Sequence, residues 1–152
     1  MPIFPALSRL VLAATLALAA TAHATYGVTP AMPVPNADAE VASEALRNGD
    51  WQRAIDNFQA ALKAEPDNAE FHNGLGLAYL RRGSNEAALR HLREALRIDP
   101  DLRSAHANLG EAYLAAGDVA KAREHLALLE RLSGGRACEE YVQLERAIAS
   151  SK

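Results

Sequence analysis

Four of the five histidines stand in two columns: His72 and His106 are 34 residues apart, and so are His91 and His125. Imidazole is a common metal ligand, so a column of histidines raises metal binding first. The spacing argues against it. No two of these histidines are spaced i,i+4 on one helix, the arrangement that brings two imidazoles to one ion. Equivalent helices of neighbouring helix pairs sit roughly 8–10 Å apart, whereas a Zn–N bond is ~2 Å. No cysteine lies near enough in sequence to complete a site. Inheritance of a duplicated unit accounts for the columns. No metal ligand is assigned, and a histidine-based metal protein is the weakest alternative reading.

Cys138 is the only cysteine, so it makes no internal disulfide. In an oxidising compartment a lone thiol is buried and inert, held in a mixed disulfide, or crosslinked to a second chain. The usual burial of free cysteine favours the inert reading. Glu139-Glu140 lies on an open helix and reads as a solvated face. The chain contains no G-x-x-x-x-G-K-[ST], no G-x-S-x-G and no H-E-x-x-H, the spacings that cradle phosphates, expose a serine nucleophile or ligate zinc. No catalytic residue, cofactor or enzymatic activity is expected.

The elements that carry these residues repeat. Residues 69–102 form two apolar-periodic runs split by Gly83-Ser84 and closed by Asp99-Pro100. At a step of 34 residues Leu75-Gly76 returns as Leu109-Gly110, Tyr79 as Tyr113, Gly83 as Gly117, Ala88 as Ala122 and Leu92 as Leu126. One step back, Gly49, Ala54, Phe58, Ala61 and Pro66 stand for Gly83, Ala88, Leu92, Ala95 and Pro100. A fixed period of this size marks a repeat array, and this pattern of glycines and alanines resembles the tetratricopeptide repeat (TPR). The tail, with a cysteine beside Glu-Glu-Tyr, loosely resembles that of small exported bacterial TPR proteins. The resemblance implies an all-α, right-handed superhelix of three helix pairs plus a C-terminal capping helix. Gly76, Tyr79, Ala88, Ala95, Pro100, Gly110, Tyr113 and Ala122 are its structural positions.

The chain has 152 residues, 49% of them hydrophobic but only 5% aromatic. A core of Ala and Leu suits close-packed helices better than a sheet. A net charge of −3 gives no basic patch for nucleic acid. Arg9, the apolar run Leu10–Ala20 and Ala22-His23-Ala24 have the order of a secretory signal peptide cut after Ala24. The run is shorter than the ~20 residues that cross a bilayer, and no cysteine follows it for a lipid anchor. The 15 basic and 19 acidic residues left without Arg9 give the mature chain about −4. A periplasmic or secreted protein is expected.

Residues 25–36 carry Pro30, Pro33 and Pro35, which forbid a regular helix and predict a flexible leader. Residues 37–136 divide into three repeats at about 35–68, 69–102 and 103–136. The predicted helices are 38–47, 51–64, 69–82, 85–97, 102–116 and 119–132, with Asp50, Ser84 and Asp118 as caps inside the pairs. The first pair is degenerate, with Ala42 and Ala45 where later copies have Gly76 and Tyr79. Trp51, Ile55, Phe58 and Leu62 make one apolar stripe. Gly83 and Gly117 supply the positive φ of helix ends. Gly76 and Gly110 permit close approach of a neighbouring helix. The third copy departs at Leu129 and Gly134, where Ala95 and Pro100 would recur, so no fourth repeat follows. Residues 137–152 form the capping helix and tail, with Tyr141, Leu144 and Ile148 on one face.

Helix pairs of this kind bury their apolar faces only by stacking, and the stack curves. Helical phase puts Ser43 and Arg47 of the first copy on the concave face. The second copy adds Asn73, Leu77, Leu80 and Arg81, and the third adds Ala107, Asn108, Glu111 and Leu114. The leucines are either exposed there or covered by neighbours. The resemblance implies that such a groove holds an extended or helical segment of a partner protein. One TPR subclass, the chaperone adaptors, clamps a C-terminal carboxylate with lysines and asparagines. The matching positions here are Ala39, Ser43, Gly74, Ser104 and Asn108, of which only Asn108 fits, so that acidic tail is not the expected ligand. The expected function is an exported interaction scaffold, serving envelope assembly, secretion or maturation of another protein. The alternative is self-association through the first repeat or Cys138.

Overall fold

A computed structural model describes residues 36–151. They form seven helices: α1 Ala37–Asn48, α2 Trp51–Ala64, α3 Ala69–Arg81, α4 Asn85–Ile98, α5 Arg103–Ala115, α6 Val119–Ser133 and α7 Glu139–Ser150. The proposed signal peptide and all of the leader except Asn36 lie outside the described residues.

The ends of the helices follow local chemistry. Asp50 Oδ1 accepts from the Arg53 amide at 3.2 Å and Asp118 Oδ1 from the Lys121 amide at 3.1 Å, each satisfying an orphan N–H of a first turn. Ser84 does not cap α4 through its side chain. Its hydroxyl instead accepts from the Arg82 guanidinium at 3.3 and 3.4 Å. Further caps are Asn68, which accepts from the Phe71 amide at 3.2 Å, and Asn36, which accepts from the Ala39 amide at 3.3 Å. Asn36 sits in the left-handed region at φ 55° and donates to Glu65 Oε1 at 2.8 Å, so it belongs to the fold rather than to the leader. Gly83 and Gly117 have φ of 84° and 80°, the conformation that favours glycine at a helix end.

Helices pair in order, α1 with α2, α3 with α4 and α5 with α6, and each pair packs on the next. The first helices also meet one another: α1 touches α3, α3 touches α5 and α5 touches α7. Among the described residues, α2, α4 and α6 make no equivalent contacts with each other. An array whose first helices converge while its second helices spread curves toward the first helices. The result is an all-α superhelix of three pairs and a closing helix.

The core runs along the stack in two clusters. One gathers Ala42, Ala45, Ala54, Ile55, Phe58, Leu75 and Ala78. The other runs from Leu80, Ala88 and Leu92 through Leu109, Tyr113 and Leu129 to Tyr141, Leu144 and Ile148. Ala88, Ala95 and Ala122 are fully buried, so the small repeated residues do set helix spacing. Leu129, larger than the Ala95 it replaces, is fully buried in the cluster that α7 closes.

Candidate partner-binding groove

Three first helices carry the expected concave residues. On α1, Ser43 is half-buried, its hydroxyl donating to the Ala39 carbonyl at 2.8 Å, and Arg47 is exposed at the C-terminal end. On α3, Leu77 is half-buried and Arg81 exposed; on α5, Asn108, Glu111 and Leu114 are half-buried. Leu80 and Ala107 are placed differently. They are 9% and 3% exposed and sit in the core cluster. Both therefore serve the core rather than a surface open to a partner.

The polar residues of this face satisfy one another. The Asn108 amide donates to Asn73 Oδ1 at 2.9 Å, and Asn73 Nδ2 donates to Ser104 Oγ at 3.0 Å. Asn73 is 7% exposed, so its bonds matter: an unpaired amide there would forfeit its hydration without return. Farther along the same helices, Arg81 and Glu111 pair at 2.8 Å, with side chains 44% and 19% exposed. This ladder ties α3 to α5 and pre-sets the groove floor. A partner gains from it only through the free valences and the edges of the ion pair.

Beside the ladder lies a hollow of about 250 Å³, lined by Ser43 and Leu46 of α1, Phe58 of α2, and Glu70, Phe71, Asn73, Gly74 and Leu77 of α3. It is smaller than the ~300–1,000 Å³ of small-molecule pockets and suits a single side chain of a bound segment. Gly74 is decisive for its shape. A Cβ built there falls 2.3 Å from Cζ of the Phe58 ring, which occupies the space a side chain would need. Sequence reasoning did not single out Phe58 and Phe71 as groove residues. A second hollow of about 450 Å³ lies at the turn between α3 and α4, lined by Tyr79, Arg82, Asn85, Glu86 and Arg90 among others.

The histidines meet in an unexpected way. The columns do not form the contacts; within each repeat, one member of each column touches the other. His72 Nδ1 lies 3.3 Å from His91 Nδ1, and His106 Nδ1 lies 3.0 Å from His125 Nδ1. His72 Nε2 meets the Pro66 carbonyl at 2.9 Å and His106 Nε2 the Pro100 carbonyl at 2.8 Å. Tyr79 stacks on His91 and Tyr113 on His125, with ring centroids 5.6 and 5.7 Å apart. Burial, with a neighbouring imidazole, lowers the pKa of His91 and pushes that of His125 down to about 4. The common spacing of 19 residues was the signal in the sequence. Among the described residues no three His, Cys, Asp or Glu side chains converge on a metal-sized site.

Cys138 is half-buried and its sulfur accepts from the Tyr141 amide at 3.4 Å, capping α7. Glu140 reaches Arg103 at 3.8 Å, while Glu139 is exposed and receives Gln143. Among the described residues no helix is long and apolar enough to cross a membrane.

Two tetratricopeptide-repeat family models match, one over residues 42–103 and one over residues 79–145. None of the curated proteins compared with the chain matches it. Among solved structures it is similar to the TPR2B domain of yeast Sti1 in complex with pHsp70, at 20% identity and TM-score 0.69, covering 78% of this chain and 98% of that one. It is also similar to the first TPR of Spaghetti (RPAP3) bound to the HSP90 peptide SRMEEVD, at 19% identity and TM-score 0.67, covering 75% and 89%. A third is the type III secretion translocator chaperone SycD of Yersinia enterocolitica, at 22% identity and TM-score 0.64, covering 75% and 85%. With both family models spanning residues 42–145 between them, and this stack of helix pairs beneath them, the chain belongs to the tetratricopeptide-repeat family.

Proposed function

We propose that the chain is an exported, non-enzymatic scaffold that holds a segment of a partner protein along the inner faces of α1, α3 and α5. The observation that carries this reading is the hollow beside Leu77, sized for one side chain and bordered by a fixed polar ladder. A preformed site of that kind costs little ordering entropy when a peptide binds. One of the structural relatives is solved bound to an HSP90 peptide and another as a complex with pHsp70, which supports groove binding in general. The acidic chaperone tail is not the proposed ligand. Gly74 stands at a clamp position, and Phe58 fills the room that a clamping side chain would take. The proposed partner segment is one that offers an apolar side chain to the hollow. The order of Arg9, Leu10–Ala20 and Ala22-His23-Ala24 supports export, with the scaffold serving envelope assembly, secretion or maturation of another exported protein.

Site-specific photocrosslinking in the producing cell tests the groove. A photoreactive residue at Ser43 or Leu77 should give a discrete adduct with another protein, and one at exposed Arg123 on α6 should not. Adducts only from Arg123 would reject the groove. Adducts of the chain with itself would favour self-association.

A further inference from the structure

We propose that the imidazole pairs His72–His91 and His106–His125 are acid-sensitive latches, each closing one helix pair while it carries at most one extra proton and releasing it when it must carry two. The chemistry follows from the partners. A carbonyl only accepts, so His72 and His106 donate Nε2–H to Pro66 and Pro100. In its neutral form each then has a bare Nδ1, and the facing Nδ1 of His91 or His125 must carry the donated proton. One added proton is accommodated. It goes to Nδ1 of the first histidine, which then donates, while the second histidine moves its own proton to Nε2. A second added proton leaves two N–H groups pointing at each other across 3.3 or 3.0 Å, with two positive charges in partly buried rings.

The surroundings differ between the latches. At the first, α4 supplies Arg90, which opposes a proton on His91, and Glu94, which favours one, although Glu94 is already held by Arg97. Tyr79 of α3 stacks on His91, with Arg82 over the Tyr79 ring. At the second, Leu128 stands one repeat after Glu94 and Glu124 one repeat after Arg90, so neither of the α4 charges that act on His91 recurs there. Tyr113 of α5 stacks on His125, and Arg93 of α4 and Lys121 of α6 lie over the Tyr113 ring. At the second latch it is burial, with the His106 imidazole beside it, that holds His125 down to about 4.

The direction of the effect is fixed by linkage. The depressed folded pKa values mean that the unfolded chain binds more protons below pH ~6.5, so stability present above that pH is lost as the pH falls toward about 4. Between pH 7.5 and 5.0 the carboxylates, with ordinary values near 4, scarcely titrate, which isolates the histidines. In that window the melting temperature of the full chain should fall by roughly 4–8 °C. The double variant His91→Asn/His125→Asn keeps a donor near each Nδ1 position but cannot be charged, and should lose most of this fall. A flat wild-type profile, or an equal fall in the variant, overturns the proposal. Should the variant fold poorly, nitrogen NMR of the wild-type imidazoles gives the answer instead. Nε2–H tautomers at His72 and His106 and Nδ1–H tautomers at His91 and His125 near pH 7.5, with His91 and His125 each keeping one bare ring nitrogen below pH 5.5, support the latches. Mixed tautomers titrating together near pH ~6.5, the ordinary histidine value, overturn them.

Discussion

Leu144 lies across Gly110, so closely that a Cβ built on the glycine falls 2.5 Å from Leu144 Cδ2. Gly76, one repeat earlier, meets Leu92 in the same way at 2.6 Å. Both leucines are fully buried, so either can move aside only by displacing other close-packed core atoms. Alanine in place of a helical glycine ordinarily gains ~1 kcal/mol. Here the contact reverses the sign: Gly76→Ala and Gly110→Ala should each destabilise by about 1–3 kcal/mol through overpacking. Urea unfolding measures it. A raised midpoint in either variant would mean that the helices do not approach at these glycines.

The same pair shows what was legible. Leu144 follows Gly110 by one repeat period, so α7 takes the seat of a further first helix although the loop before it has lost the repeat pattern. Features that recur at 34 residues were readable because they are set within a repeat: Gly83 and Gly117 by the positive φ of a helix end, Ala88 and Ala122 by full burial. The histidine pairs were not read, because their contact crosses two helices and depends on the depth at which the rings sit. The sequence leaves open whether the leucines of the inner face are exposed or covered. Leu77 and Leu80 differ by three residues on one helix, and only the packing of the stack decides that Leu80 joins the core while Leu77 lines the hollow. Ser84 looked like Asp50 and Asp118, but Arg82, two residues away, competes for its hydroxyl.

That competition gives a second prediction. Asp50→Ala and Asp118→Ala remove a bond to a first-turn amide and should each lower the melting temperature by roughly 2–6 °C. Ser84→Ala, which removes no such bond, should stay within experimental error. Asp118 also pairs with Lys121 at 2.8 Å, and this hydrogen bond holds its pKa below the ordinary value. Its contribution should therefore be present near neutral pH and lost as the pH falls through the carboxylate range. Thermal melts at pH 7 and pH 3 would show the Asp118→Ala deficit shrink in acid.

Processing supplies a third. Export with cleavage after Ala24 yields a chain that starts at Thr25. Intact-mass measurement of the protein recovered from the cell envelope or medium should show that terminus. A full-length mass in that fraction would remove the basis for a soluble exported form.

The groove gives the last. Leu77 borders the hollow, is half-buried and packs in neither core cluster, so a charge there should disturb a partner more than the fold. Contacts near the centre of an interface carry ~2 kcal/mol or more, and ~1.4 kcal/mol is one decade in Kd. Leu77→Glu should then weaken binding of the partner identified by crosslinking at least about tenfold, with little change in melting temperature. Arg81 needs a different treatment, because Arg81→Glu would set two carboxylates together where Arg81 and Glu111 now meet at 2.8 Å. The charge-swapped double variant Arg81→Glu/Glu111→Arg keeps the bridge between α3 and α5 and inverts the charge order along the groove. It separates the two uses of the pair: unchanged stability with weakened binding marks recognition, and unchanged binding marks a purely structural tie. Glu139→Lys, at an exposed position on α7, is the control and should leave affinity as it was. If Leu77→Glu binds normally while Cys138→Ser abolishes association, the inner face is not the binding surface, and the chain works by joining copies of itself.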